Sequence, residues 1–312
     1  MVSVEGRNEV QSATFRYNIA SVGGFSLMKK HRAFLKWAGG KYSLVEDIKR
    51  HLPPARKLVE PFVGAGSVFL NTDYDHYLLA DINPDLINLY NILKHEPERY
   101  IEDARKLFTP EYNNKEAYLK IREEFNESDD PYLRSLYFLY MNRHGFNGLC
   151  RYNKKGGFNV PFGSYKKPYF PEAEMYYFSE KAKRATFVCE GYLQTFSRAR
   201  KGCVVYCDPP YAPLSSTANF TSYSGNGFSL DDQATLADVA EKAAAERDIA
   251  VLISNHDTAL TRRLYTGADL SVVKVKRTIS RNGSGRNKVD ELLALFSVSS
   301  TELAPAFSSE EE

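Results

Sequence analysis

The chain predicts an α/β fold, a mainly parallel sheet flanked by helices and interrupted by one inserted, mainly helical segment. Three observations carry that expectation. Short runs rich in β-branched and aromatic residues alternate with segments of helical period, the pattern of βαβ units. Two of the runs stop abruptly, one at a glycine turn and one at an acid followed by two prolines. Between about Pro84 and Pro168 the alternation lapses: the chain reads as helical up to Met141 and then turns rich in Gly, Asn, Tyr and Lys.

Residues 1–27 are mixed and aperiodic and are expected to form a disordered N-terminal extension, with MKKHRAFLKWAGGK from Met28 reading like a second beginning. Lys57 to Phe62 (KLVEPF) reads as a strand, followed by the turn VGAG and a helix opening at SVFLN. His76 to Ala80 reads as a second strand, ending at Asp81. In NPDLINLYNIL, Asn83 suits the N-cap and Pro84 the first helical position, while Leu86, Leu89, Tyr90 and Leu93 recur at helical spacing. TFVCEG is a candidate strand and Val204 to Cys207 a stronger one. A helix over Asp231 to Arg247 and strands at Ile249–Ser254, Leu270–Val275 and Glu291–Val298 follow. Residues 28–83 and 171–298 thus make the sheet-bearing domain, 84–170 the insertion, and 299–312 an acidic tail expected to be disordered.

Composition excludes several classes. Cys150, Cys189, Cys203 and Cys207 show no paired spacing and no histidine cluster, so no metal site is expected and the cytoplasm suits the chain. No apolar run approaches the ~18–20 residues that span a bilayer, and no secretory signal is evident. The net charge of +2 says little, but its distribution is informative. Tyr140 to Phe170 carries Arg143, Arg151, Lys154, Lys155, Lys166 and Lys167 with no acid. Lys274 to Lys288 is likewise basic only. Such segregation makes local positive fields that attract phosphate, although solvated basic loops have the same look.

Gly64 and Gly66 follow a strand and open a helix, where glycine lets a ligand approach the backbone. Asp81, at the end of the next strand, can accept hydrogen bonds from both hydroxyls of a ribose; it can equally serve the helix that begins at Asn83. The full GxGxxG is absent, with Phe69 at the third glycine position. A nucleoside without a pyrophosphate therefore fits better, and S-adenosylmethionine answers that description. Its methionine tail needs partners, for which KWAGGK offers Lys36 and Lys41. Asp208-Pro209-Pro210-Tyr211 then supplies chemistry. An exocyclic amine is a poor nucleophile because its lone pair is delocalised into the ring. Asp208 and the Pro209 carbonyl, held by a rigid backbone, can accept its two hydrogens and free that pair. Tyr211 can stack on the base, which must leave the duplex to be reached. In Asn142 to Phe170, basic residues are interleaved with Phe146, Tyr152, Phe158, Phe162 and Tyr165, and Lys154–Gly157 (KKGG) suits a hairpin tip. Arginine reads guanine, asparagine reads adenine, and an inserted aromatic opens a stack.

KWAGGK, EPFVGAGSVFLN, LADIN, NRHGFNGLCRYN, FNVPFG, YKKPYFPEAE, VYCDPPYAPLS and SNHD occur here in order, and over about Met28 to Phe296 the chain resembles the DNA adenine methylase (Dam) family, close to the enterobacterial type. The resemblance implies a Rossmann-like, S-adenosylmethionine-dependent methyltransferase sheet with an inserted target-recognition domain carrying a β-hairpin. It implies methylation of adenine N6 in duplex GATC, and roles in strand-directed mismatch repair and replication timing in a bacterial nucleoid. On the same grounds Trp37, Lys41, Phe62, Asp81 and Asp208 match cofactor positions, beside Gly64 and Gly66. Lys36 matches a lysine near the target base, and Asp208 to Tyr211 match the catalytic motif. Phe146, Asn147, Leu149, Arg151, Pro161 and Tyr165 match the recognition hairpin, with Arg151 reading a guanine. Phe146 replaces a tyrosine, which keeps an aromatic wedge without its hydroxyl. APLSSTANFTSYSGNGFSL resembles a loop that orders on DNA. A monomer is expected. Two other readings stay open: an N-methyltransferase for RNA or a glutamine side chain, and a non-catalytic DNA-binding relative.

Overall fold

The computed structural model describes residues 30–212, 228–275 and 289–297. The N-terminal extension, the acidic tail, most of the loop after Tyr211 and most of the second basic segment lie outside the described residues. Contacts divide the chain into Met1–Lys30 and His31–Glu312, and everything below belongs to the second unit.

The strands are β1 (Lys57–Glu60), β2 (His76–Asp81), β3 (Ala185–Cys189), β4 (Cys203–Cys207), β5 (Ala250–His256), β6 (Asp269–Val275) and β7 (Val289–Phe296). They form one seven-stranded sheet in the order β3-β2-β1-β4-β5-β7-β6. β1 to β5 pair parallel, whereas β7 runs antiparallel between β5 and β6. The helices are α1 (Val45–His51), α2 (Ser67–Asn71), α3 (Pro84–His95), α4 (Pro97–Lys106), α5 (Lys115–Glu127), α6 (Pro131–His144), α7 (Glu172–Ala182), α8 (Tyr192–Arg198), α9 (Leu230–Arg247) and α10 (Ala259–Leu264). None is long and apolar enough to cross a membrane.

Strand side chains alternate between two cores, as a pleat requires. Leu58, Val204, Tyr206 and Leu252 face a cluster built with α1 to α7, while Val59, Val205, Cys207, Val251 and Ile253 face one built with α8 and α9. In α3 the Asn83 side chain accepts the amide hydrogens of Asp85 and Leu86, so cap and proline act as the residue types predict. The apolar side of α3 (Leu86, Leu89, Tyr90 and Leu93) is fully buried, and the helix packs on β2, β3, α6 and α7 together. α5 and α6 open on Asn114 and on Asp130-Pro131.

β1 lies between β2, which leads to β3, and β4, which leads to β5. The order reverses there, and the crevice beyond the carboxyl ends of β1 and β4 is where such sheets bind ligands. Several elements differ from expectation, β7 among them, which spans Val289–Phe296 rather than Glu291–Val298. β1 stops at Glu60 because Pro61 has no N–H for the ladder. β5 continues past Ser254 to His256, because β7 pairs with it that far. The hairpin in residues 145–162 is not a continuous ladder: it has two isolated antiparallel bridges, Gly145 with Phe162 and Tyr152 with Phe158. Side chains take backbone groups that a ladder would use. Asn126 bonds both the N–H and the C=O of Phe158, and Tyr118 and Arg122 both donate to the Val160 carbonyl. The tip at Lys154–Gly157 does close, with Gly156 N–H donating to Asn153 C=O.

Candidate active site

The turn after β1 is built on left-handed glycines, Gly64 at φ +46° and Gly66 at φ +71°. A Cβ on Gly64 would lie 2.9 Å from the Trp37 indole nitrogen, so glycine is what lets Trp37 pack onto the turn. Asp81, at the tip of β2, joins the turn to α3: its Oδ2 accepts from Gly64 N–H at 3.1 Å and its Oδ1 from Asn83 N–H at 3.0 Å. Burial raises the Asp81 carboxyl above the usual carboxylate range, and these amides only partly oppose it. Both readings of Asp81 are thus compatible, since it meets the helix amide and keeps lone pairs on each oxygen. Ile82 beside it is 58% exposed, unusual for isoleucine at a sheet edge. Phe62 stacks on Tyr192 at 5.7 Å and meets Phe228 edge-on.

Across the crevice, β4 ends at Cys207 and Asp208 follows. Asp208 Oδ1 pairs with Lys41 Nζ at 2.8 Å; the lysine side chain is 5% exposed and the aspartate 21%. Burial pushes the Asp208 carboxyl up, against the pull of the Lys41 charge and of Ser254, which donates to Oδ1 at 3.3 Å. Lys41 also donates to the Gly39 carbonyl and lies 4.5 Å over the Tyr211 ring. The Tyr211 hydroxyl is close to Asp208 and Ser254, yet it is buried and makes no hydrogen bond of standard geometry among the described residues.

The backbone of this motif is clamped from behind. Gln233 Nε2 donates to the Pro210 carbonyl at 2.7 Å, and Ala212 N–H donates to Asn255 Oδ1 at 3.0 Å. Asn255 Nδ2 in turn donates to Gln233 Oε1 and to the Tyr265 hydroxyl. His256 Nδ1 bonds the Ala212 carbonyl at 2.8 Å, and its ring meets Tyr211 edge to face at 4.6 Å. Glu60, at the end of β1, is the second buried acid of the crevice. Its carboxyl is pushed up to about 8 by burial and then by the Asp208 charge, and Phe69 N–H opposes the rise. One Glu60 oxygen has no partner among the described residues.

Lys36 packs with the recognition segment. Asn142 holds both its backbone groups, accepting from its N–H at 2.9 Å and donating to its C=O at 2.7 Å. Its Nζ lies 4.0 Å over the Tyr165 ring, and its stem packs on Gly148, where a Cβ would clash. Burial, followed by the Arg143 charge, lowers the Lys36 pKa. The Tyr165 hydroxyl accepts from Asn147 N–H at 3.0 Å, and Phe146 N–H donates to Pro161 C=O at 2.8 Å. Phe146 is 48% exposed. Leu149 is half-buried on the main core. Lys36, Phe146, Asn147, Pro161 and Tyr165 therefore form one group. Arg151 stands apart on the hairpin arm, its Nε on Asn159 Oδ1 at 2.7 Å and its Nη2 on Asn159 C=O.

Sequence reasoning did not single out Glu60, Ile82, Gln233, Ser254, Asn255 or His256 individually. SNHD carried a signal, since a run of polar residues at a strand's carboxyl end needs partners. Gln233 carried none, because a glutamine in α9 looks like surface until its 1% exposure is known.

The chain is 76% identical over 269 residues to the DNA adenine methylase of Vibrio cholerae serotype O1, an alignment covering 86% of this chain and 97% of that protein. It is 65% identical over 269 residues to the DNA adenine methylase of Escherichia coli strain K12 (86% and 96% covered). Against that of Serratia marcescens the identity is 64%, with 86% and 100% covered. The matching family profile spans residues 37–279, from Trp37 at the glycine turn through Glu60, Asp81 and Asp208 of the crevice. On this match, the chain belongs to the D12 class of N6 adenine-specific DNA methyltransferases.

Proposed function

We propose that the protein transfers a methyl group from S-adenosylmethionine to N6 of an adenine in duplex GATC, extruding the base and displacing the methyl directly. The observation that carries this is the placement of Asp208 at the carboxyl end of β4, across the strand-order reversal from Gly64 and Asp81. A nucleoside site and an amine-polarising motif then share one crevice. Family membership supports the N6-adenine chemistry. The relatives' names support the same reaction.

The crevice suits the cofactor. Asp81 offers carboxylate lone pairs for ribose hydroxyls, Ile82 an exposed apolar face for adenine, and Trp37 an aromatic wall on the turn. When bound, S-adenosylmethionine supplies an activated sulfonium methyl. The chain's own task is to make the amine reactive. Asp208 and the Pro209 carbonyl accept the two N6 hydrogens, Tyr211 stacks against the base, and Gln233 and Asn255 keep the motif from yielding. Lys41 opposes the burial that raises the Asp208 carboxyl.

We assign residues 28–83 and 171–298 to the methyltransferase domain and 84–170 to target recognition. Phe146 serves as the wedge, Asn147, Leu149, Pro161 and Tyr165 as its support, and Arg151 as the guanine reader. The test is methyl transfer from labelled cofactor to duplexes substituted at each position of GATC. Transfer confined to the intact site is expected. Equal transfer to all duplexes, or to RNA alone, would overturn the reading.

A further inference from the structure

Asp85 is a buried acid in the first turn of α3 that the chemistry above leaves without a task. Its Oδ1 accepts from Arg134, Nε at 2.9 Å and Nη2 at 2.8 Å, which already compensates its charge. Its Oδ2 accepts a third, short bond, 2.6 Å from the hydroxyl of Tyr152, in the recognition segment. Two residues earlier, Asn83 Nδ2 donates to Cys150 Sγ at 3.4 Å. The two residues flanking Arg151 are therefore both tied to the start of α3.

The opposite arm of the hairpin is tied as well. Tyr152 bridges to Phe158, and Asn126 of α5 grips Phe158 through both of its backbone groups. Asn159 follows, receiving the Arg151 guanidinium and donating its own N–H to the Arg151 carbonyl at 3.0 Å. Arg151 itself is exposed. Its aim is thus set by the Asn159 arm and by the anchoring of its two neighbours. A bidentate contact to a guanine edge tolerates only about 0.5 Å of misplacement, whereas attraction to phosphate tolerates far more.

We propose that Asp85 and Tyr152 are positioning residues for sequence discrimination: their hydrogen bond holds the hairpin arm so that Arg151 meets a guanine edge. The inference rests on the reading of this site as a duplex methyltransferase in which Arg151 reads guanine. It adds a pair that touches no DNA and acts through its neighbour.

The test is a double-mutant cycle on discrimination, the ratio of kcat/KM for a GATC duplex to that for a duplex substituted at the guanine. Tyr152→Phe keeps the ring and removes the bond; it lowers the ratio roughly tenfold. Asp85→Asn leaves an acceptor for Arg134 but reverses the bond, its NH2 donating to the Tyr152 hydroxyl, and lowers the ratio less than Tyr152→Phe does. Arg151→Ala lowers it at least as much, and adding Tyr152→Phe to Arg151→Ala changes it no further. Cofactor affinity without DNA, read from Trp37 fluorescence, stays within about twofold in Tyr152→Phe. A uniform loss on both duplexes would make the pair merely structural and overturn the inference. So would a further drop in the Arg151→Ala background. If Arg151→Ala leaves discrimination intact, the guanine-reading assignment falls and the inference with it; if only Tyr152→Phe leaves it intact, the inference alone falls.

Discussion

Replacing Asp208 by asparagine changes the crevice without changing its shape, and the structure dictates what must go wrong. Asp208 Oδ1 lies 2.8 Å from the Lys41 ammonium, so the new amide has two orientations, both poor. With its oxygen toward Lys41, its NH2 faces the substrate amine, donor against donor. With its oxygen toward the substrate, its NH2 faces the ammonium. The first orientation loses one of two preorganised acceptors, an effect of about 2.7–4 kcal/mol, or 10²–10³ in kcat, and the second keeps it only by setting an NH2 against the buried Lys41 ammonium. Stability falls as well, because Lys41 is 5% exposed and loses its counter-charge. Breaking a fully buried pair costs about 3–5 kcal/mol. With Asp208 21% exposed to water, we expect about 2–3 kcal/mol. Single-turnover methylation at saturating cofactor and duplex measures the first quantity, and urea denaturation the second. Turnover of Asp208→Asn within tenfold of the parent would refute the acceptor role, whatever happened to stability.

Three further outcomes follow from the same crevice. In Lys41→Met the charge that holds the Asp208 carboxyl down is gone, so the acid limb of kcat moves to higher pH; a stationary limb in a pH–rate profile would contradict this. Glu60 keeps its proton when folded up to about 8, against an ordinary 4.5, so its contribution to stability is present below 4.5 and lost as pH rises through 8. Its slope is at most about 1.4 kcal/mol per pH unit. Glu60→Gln removes that slope, and chemical denaturation between pH 5 and 8 should give a flatter profile than the parent; parallel profiles would count against a neutral Glu60. Gly64→Ala forces a side chain to φ +46° and against the Trp37 indole. It should cost about 1–2 kcal/mol in backbone strain and weaken cofactor binding, as titration of the Trp37 emission would show; unchanged affinity would remove Trp37 from the site.

Much of this was legible in residue order because the decisive groups sit where the chain punctuates itself. Pro209 and Pro210 stop β4 whatever surrounds them, and Gly64 and Gly66 adopt a conformation few other residues accept. Asn83-Pro84 announced α3 for reasons internal to the helix. What could not be read depended on distant partners. Glu60 looked like one more strand residue, and its raised carboxyl comes first from its burial in the assembled crevice and then from the Asp208 charge that β4 lays near it. The last two residues of β5 follow from pairing with β7, from a part of the chain well beyond it. The hairpin is expected from its KKGG tip and from the family resemblance, but α5, earlier in the chain, takes the backbone groups of Phe158 that a ladder would use.

The reversal of strand order has a consequence for synthesis. β1 and β2 leave the ribosome early, yet the other wall of the crevice waits for β4, with α3 to α8 emerging in between. Until Cys203–Cys207 slots in beside β1, Leu58 and Val59 face an open sheet edge and Lys41 has no counter-ion in reach. A nascent chain halted before β4 is thus a half-sheet with a sticky border, the species that a chaperone would have to shield. Its exposure should lengthen with every delay in translating the insertion.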